Sequence, residues 1–107
     1  MQDGLYAVDF QTPFALGAGV VVKHGSSLSG GDSGYAWFGE VSEDGENVSG
    51  SLKVIKHGPS TVSVFGPLNN FTLTFKGAVS GSQGRLNATT AAAPGVQMTI
   101  SLRRIEG

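Results

Sequence analysis

The sequence predicts an all-β fold, an eight-stranded antiparallel up-and-down barrel, and three observations predict it. Apolar and polar residues alternate over many short segments, the period of a half-buried strand. Glycine and proline turn signals separate these segments at short intervals. Glycines also stand inside the segments, where they suit the bends of a barrel better than a flat sandwich. Closing the sheet removes its exposed edges.

Residues 4–11 open the chain with Tyr6, Val8 and Phe10 on one face, then Thr12-Pro13 punctuates. Residues 16–23 are expected to form a second strand with Ala18, Val20 and Val22 on its apolar side. Gly17 and Gly19 lie between them and suggest a bulge or bend. His24-Gly25-Ser26 reads as a hairpin turn. Leu28 starts a short strand that ends at Gly30-Gly31, and residues 35–41 form the next, with Tyr35, Trp37 and Phe38 as anchors.

An acidic turn leads to residues 48–56, where Val48, Gly50, Leu52 and Val54 share a face. Residues 61–65 read as another short strand. Phe71, Leu73 and Phe75 alternate with Thr72, Thr74 and Lys76. Residues 80–84 read as a loop, 86–90 as a strand and Ala93-Pro94-Gly95 as a turn. Val96, Met98, Ile100 and Leu102 alternate along the last strand. No segment has a convincing helical period; Thr89, Thr90 and Pro94 oppose a long helix in the alanine-containing stretch.

At 107 residues the chain is expected to be one domain, 1–107. With 39% hydrophobic and 14% charged residues it is globular in composition. A net charge of −1 offers no field for nucleic acid, so no direct nucleic-acid binding is expected. The absence of cysteine excludes disulfides, thiol catalysis and thiolate metal sites. Met1-Gln2-Asp3-Gly4 lacks a basic start and a long apolar run, so no signal peptide is expected. The glycine-broken run 15–22 is too short to span a bilayer. A cytoplasmic protein with no membrane partner is the expectation.

Several motifs are weaker than they look. Gly31-Asp32-Ser33-Gly34 copies the serine-protease loop, but no base and orienting acid are spaced to serve Ser33. The plainer reading is a turn in which Asp32 or Ser33 bonds nearby backbone. Gly17-Ala18-Gly19 lies within a strand and opens no helix, so it is no nucleotide fingerprint. His24 and His57 lack metal-ligand spacing and read as solvated turn residues. Three glycosylation-type triplets, at Asn47, Asn70 and Asn87, are products of Ser/Thr-rich outer faces. Residues 22–27 echo 55–60, which reads as similar turn chemistry rather than duplication. No cofactor, metal or catalytic residue is expected, and the chain is read as a non-enzyme.

Two candidate sites remain. Glu43, Asp44 and Glu46, around Gly45, form an acidic hairpin that reads as a docking knob for a basic protein surface. Its plainer reading is a solvated turn. Tyr6, Val8, Phe10, Trp37, Phe71, Phe75 and Met98 are candidates to face the lumen. They either fill it as a core or line a site for a small apolar ligand.

The order Asp3-Gly4-Leu5-Tyr6-Ala7-Val8-Asp9-Phe10, Gly17-Ala18-Gly19-Val20-Val21-Val22, Gly30-Gly31-Asp32, Gly39 and the acidic turn resembles the GrlR-like family. That family is named for a negative regulator of a type III secretion locus in enteric bacteria. The resemblance runs over nearly the whole chain. It implies a lipocalin-like eight-stranded barrel with an apolar interior, often paired as a homodimer. It also implies a regulator that binds and silences a helix-turn-helix transcription activator through an exposed Glu-Asp-Glu-Asp run. The matching positions here are Glu43-Asp44-Gly45-Glu46, with glycine replacing the third acid and glutamate the fourth.

Overall fold

A computed structural model describes residues 1–58, 63, 65 and 68–107. Eight strands follow in chain order: β1 (Gly4–Gln11), β2 (Leu16–His24), β3 (Ser27–Gly31), β4 (Tyr35–Asp44), β5 (Asn47–Lys56), β6 (Asn70–Ser80), β7 (Gln83–Thr89) and β8 (Met98–Glu106). Each pairs antiparallel with the next, and β8 pairs back onto β1, so the sheet closes as an up-and-down barrel. There is no helix among the described residues. The predicted strand at 61–65 lies mostly outside the described residues; of it, Phe65 is buried and Ser63 partly so. The loop predicted at 80–84 is tighter than expected, because β7 already begins at Gln83.

The two ends of the barrel differ. At one end three hairpins turn on two residues each, Gly25-Ser26, Gly45-Glu46 and Gly81-Ser82. In each the glycine comes first, with φ near +62° at all three (61, 62 and 63). The second residue keeps a negative φ, as in a type II′ turn that matches the twist of its strands. Each of these turns is then stitched to the strand that follows its own hairpin, β4, β6 and β8 in turn. Carbonyls of Ser26, Glu46 and Ser82 accept from the amides of Val41, Val79 and Arg104 at 2.9, 2.9 and 2.7 Å. The opposite end carries the longer connections 12–15, 32–34, 57–69 and 90–97.

Alternation places one face of every strand inside. The interior holds Tyr6, Val8, Val21, Leu28, Trp37, Val54, Leu73, Phe75, Leu86, Met98, Ile100 and Leu102, all buried. The structure reverses the expected orientation of β2. Ala18, Val20 and Val22 face outward, with Val20 and Val22 41% and 42% exposed, while Gly17, Gly19, Val21 and Lys23 face in. The reason is volume. A Cβ at Gly17 would run into the Phe10 ring, and one at Gly19 would sit 2.8 Å from Trp37 Cη2. The same device recurs at Gly50, whose Cβ would meet Phe75 Cζ at 2.8 Å. Phe10 from adjacent β1 and Trp37 from β4, two strands away, lie over the glycines of β2, so its glycine face is the inner one.

Of the 22–27 and 55–60 echo, residues 59 and 60 lie outside the described residues, and the remainder falls at opposite ends of the barrel. His24-Gly25 enters a tight hairpin, whereas His57-Gly58 opens the long β5–β6 connection.

Candidate functional site

The lumen contains a cavity of about 190 Å³. Its wall is almost wholly apolar. Val8, Phe10, Trp37, Phe71, Phe75 and Met98 line it, as the alternation predicts. Tyr6 is fully buried but lies off the cavity toward the hairpin end, where its hydroxyl donates to the Gln2 carbonyl at 2.6 Å. Burial raises the Tyr6 phenol above its ordinary value. Tyr35, Val54, Leu73 and Ile100 also line the cavity, beyond the lumen candidates that the sequence offers. Tyr35, Leu73 and Ile100 share strand phase with the candidates Trp37, Phe71 and Met98, whereas Val54 stands on β5, which carries no candidate.

Aromatic rings gather toward the loop end. Phe10 meets Trp37 edge-on at 5.7 Å, and Phe71 meets both Tyr35 at 6.4 Å and Phe65 at 5.8 Å. The polar tips of these rings are all tied to backbone. Trp37 Nε1 donates to the Val20 carbonyl at 3.2 Å and Tyr35 Oη to the Leu68 carbonyl at 2.6 Å. What faces the cavity is therefore hydrocarbon. Such a lining can hold an apolar molecule by contact area and excludes charged ones, whose desolvation nothing there offsets.

The hairpin end is closed by charge. Lys23 points inward from the end of β2 and is only 5% exposed. Its ammonium bridges Asp3 Oδ1 at 3.2 Å and Glu43 Oε2 at 3.4 Å. The Met1 amine pairs with the other oxygen of Glu43. Asp3 also accepts from the Gly25 amide at 3.1 Å, and Arg104 Nε donates to the Asp3 carbonyl at 2.9 Å. Burial pulls the Lys23 ammonium down, but its two carboxylate partners outweigh that and hold its pKa above the usual lysine value. The hydrogen bond from Lys23 is the main cause that lowers Asp3. The Met1 amine is the main cause that lowers Glu43, with Lys23 adding to it.

The acidic hairpin is thus divided by its strand phase. Glu43 lies on β4 two residues past buried Val41, and its carboxylate turns to Lys23, leaving the side chain 34% exposed. Glu46 accepts from the Ser80 hydroxyl at 2.8 Å across to the next hairpin, and its residue is exposed. Asp44 is exposed, and neither it nor Glu46 is in an ion pair among the described residues.

Asp32 caps its own turn, accepting from the amides of Gly34 and Tyr35 at 2.9 and 2.8 Å. His57 Nε2 lies 3.0 Å from the Asp32 carbonyl oxygen, not from its carboxylate or from Ser33. His24 is 92% exposed beside Asp3. No group of three metal-ligating side chains occurs among the described residues. No family model matches the chain, and no curated protein is recognisably similar to it.

Proposed function

We propose that this chain is a non-enzymatic binding protein whose lumen takes a small apolar molecule. The observation that carries this reading is the apolar cavity of about 190 Å³ inside a closed barrel. A dry cavity of roughly 150 Å³ lined by Leu, Ile and Phe admits benzene. The lumen therefore has room for one compact apolar molecule or a short alkyl chain, and eight-stranded barrels are of a size to hold one. Trp37 is the single tryptophan and lines the cavity, so it reports on occupancy directly. Titration with 1-bromohexane, whose bromine quenches indole on contact, should saturate at one equivalent. Quenching that only rises linearly, as in free solution, would rule the reading out.

A second reading is regulatory, and one observation favours it. The type II′ turn at Gly45 presents Asp44 and Glu46 to solvent without an ion pair among the described residues. Exposed carboxylates on a rigid tip suit a basic protein surface. A partner such as a helix-turn-helix transcription activator is what the GrlR-like resemblance implies. The two readings are compatible: a ligand in the lumen can adjust a barrel that docks by its hairpin end. The test is association of the purified protein with a candidate activator, compared with its Asp44→Lys/Glu46→Lys variant.

Self-association is part of the same proposal. Outward residues run in register across five strands, Ala7–Val20–Gly31–Ala36–Ile55, with Leu5–Val22–Ser29–Phe38 beside them. Val20, Val22, Phe38 and Ile55 are 41, 42, 43 and 39% exposed. A contiguous apolar sheet face of this kind suits an isologous contact between two copies.

A further inference from the structure

We propose that the loop end of the barrel docks on the surface of a neutral lipid bilayer, so that the cavity mouth opens toward an apolar phase. This rests on the lumen reading for its purpose but on separate residues for its contact. Two side chains carry it. Phe14 and Leu16, in and just after the β1–β2 connection, are 70% and 76% exposed, the most exposed of the large hydrophobic residues described. Leu16 also lines the cavity. Exposed apolar residues scattered singly need no explanation, but two at one tip beside an apolar opening form a site.

The tip is pre-shaped. The Thr12 amide donates to the Ala15 carbonyl at 3.0 Å, and the Phe14 amide donates to Thr12 Oγ1 at 3.2 Å. Thr12 itself is buried. Phe14 is therefore held out by a turn with bonded backbone, and its insertion into an interface orders little that is not already ordered.

Charge distribution points the same way. In sequence, the connections 12–15, 32–34, 57–69 and 90–97 contain Asp32 as their one acid and no lysine or arginine. Asp32 is occupied in its own turn. The opposite end concentrates Asp3, Lys23, Glu43, Asp44, Glu46 and Arg104. Lys56 closes β5 at this end and offsets the charge of Asp32, so the end carries little net charge; it gains little from anionic headgroups and loses little on entering an interface. The occupant that fits is a zwitterionic surface, bound through apolar contact alone. A molecule soluble in the acyl region would then reach the aromatic collar of Phe10, Tyr35, Trp37 and Phe71 without crossing water.

The test is flotation of the full chain with phosphatidylcholine vesicles, with and without phosphatidylserine. Wild type should float with pure phosphatidylcholine, to the same extent with phosphatidylserine present and at high salt. Phe14→Ser and Leu16→Ser should each weaken partition about tenfold, the loss expected for one apolar side chain withdrawn from an apolar phase. Phe14→Ser should leave bromohexane quenching of Trp37 unchanged, which shows the barrel intact. Failure of wild type to float, flotation only with anionic lipid, or equal flotation of the variants overturns the proposal. Flotation without bromohexane quenching would keep the docking surface and remove the lumen reading. Quenching without flotation would do the reverse.

Discussion

The Phe10 and Trp37 rings stand edge to face, centroids 5.7 Å apart and planes at 88°, over the glycine face of β2. This contact sets the inner surface of the barrel near its mouth. It also explains why two kinds of glycine in the chain should respond differently to substitution.

Gly19→Ala should destabilise by about 1–3 kcal/mol, the usual range for overpacking a fitted core. The new methyl would lie 2.6 Å from the Gly31 carbonyl and 2.8 Å from Trp37, so the ring must move. Gly45→Ala meets nothing within 4 Å and loses only the freedom of a φ of +62°, about 1–2 kcal/mol. Urea midpoints read both losses. Only Gly19→Ala should also shift Trp37 emission.

Filling the cavity is the converse experiment. Val54 lines it and is buried. Val54→Phe should cost less than the 1–3 kcal/mol typical of overpacking, because empty volume receives the added atoms. The same variant should lose at least tenfold in apparent affinity for 1-bromohexane, read as the midpoint of Trp37 quenching. Unchanged quenching would place the ligand elsewhere.

The parts of this fold that sequence makes legible are those in which inner and outer faces differ in hydrophobicity. On β6, Phe71, Leu73 and Phe75 alternate with Thr72, Thr74 and Lys76, and the phase is unmistakable. On β2 the contrast is inverted. Its valines are solvent-facing, and its glycines are inside because rings from β1 and β4 occupy their space. That is a tertiary fact, invisible within the segment. Lys23 is hidden for the same reason, since it shares phase with Gly19 and Val21 rather than with the outward valines. The division of the acidic hairpin follows once β4 is seen to extend through Asp44, which carries Glu43 onto the lumen side of the strand. The turns at Gly25 and Gly45 are readable from sequence, while that at Gly81 is hidden in a glycine- and serine-rich stretch that reads as a longer loop.

The buried Lys23 cluster predicts a pH profile. The pKa values of Asp3 and Glu43 are lowered from 3.8 and 4.5, so their contribution is present above those ordinary values. It is lost as pH falls through the folded ones. Lys23 is raised from 10.5, so its contribution is complete below that value and lost as pH rises through the folded one. The contribution of these three groups to the melting temperature should therefore be level between about pH 5 and pH 10 and fall on either side. In Lys23→Met, Asp3 loses its main cation while Glu43 keeps the Met1 amine, and acidification from about pH 5 to 3 should lower the melting temperature less than in wild type. Parallel acid limbs in the two proteins would count against the cluster.

The outer apolar face predicts an oligomer that a single charge disrupts. Wild type should sediment above the 11.0 kDa of one chain at high micromolar concentration. Phe38→Glu, on a residue 43% exposed, should shift it to that mass with little change in stability. A wild-type monomer under these conditions would leave the face for another use.

The acidic hairpin should separate into one structural and two docking residues. Glu43→Ala removes the shared partner of Lys23 and the Met1 amine, so it should lower the melting temperature measurably. Asp44→Ala should fall within about 0.5 kcal/mol of wild type, as exposed changes usually do. Glu46→Ala removes one surface bond, to Ser80, and should behave similarly. Docking should sort the other way. Asp44→Lys/Glu46→Lys should slow association with a basic partner and flatten its salt dependence, because rim charges act mainly on the on-rate. Glu43→Gln, which keeps an acceptor for Lys23 and the amine, should leave the on-rate closer to wild type. The measurements are thermal denaturation for each variant and association rates across a salt series. If Asp44→Lys/Glu46→Lys associates at the wild-type rate at every salt concentration, the hairpin is a solvated turn and its one ion-paired acid, Glu43, serves the fold alone.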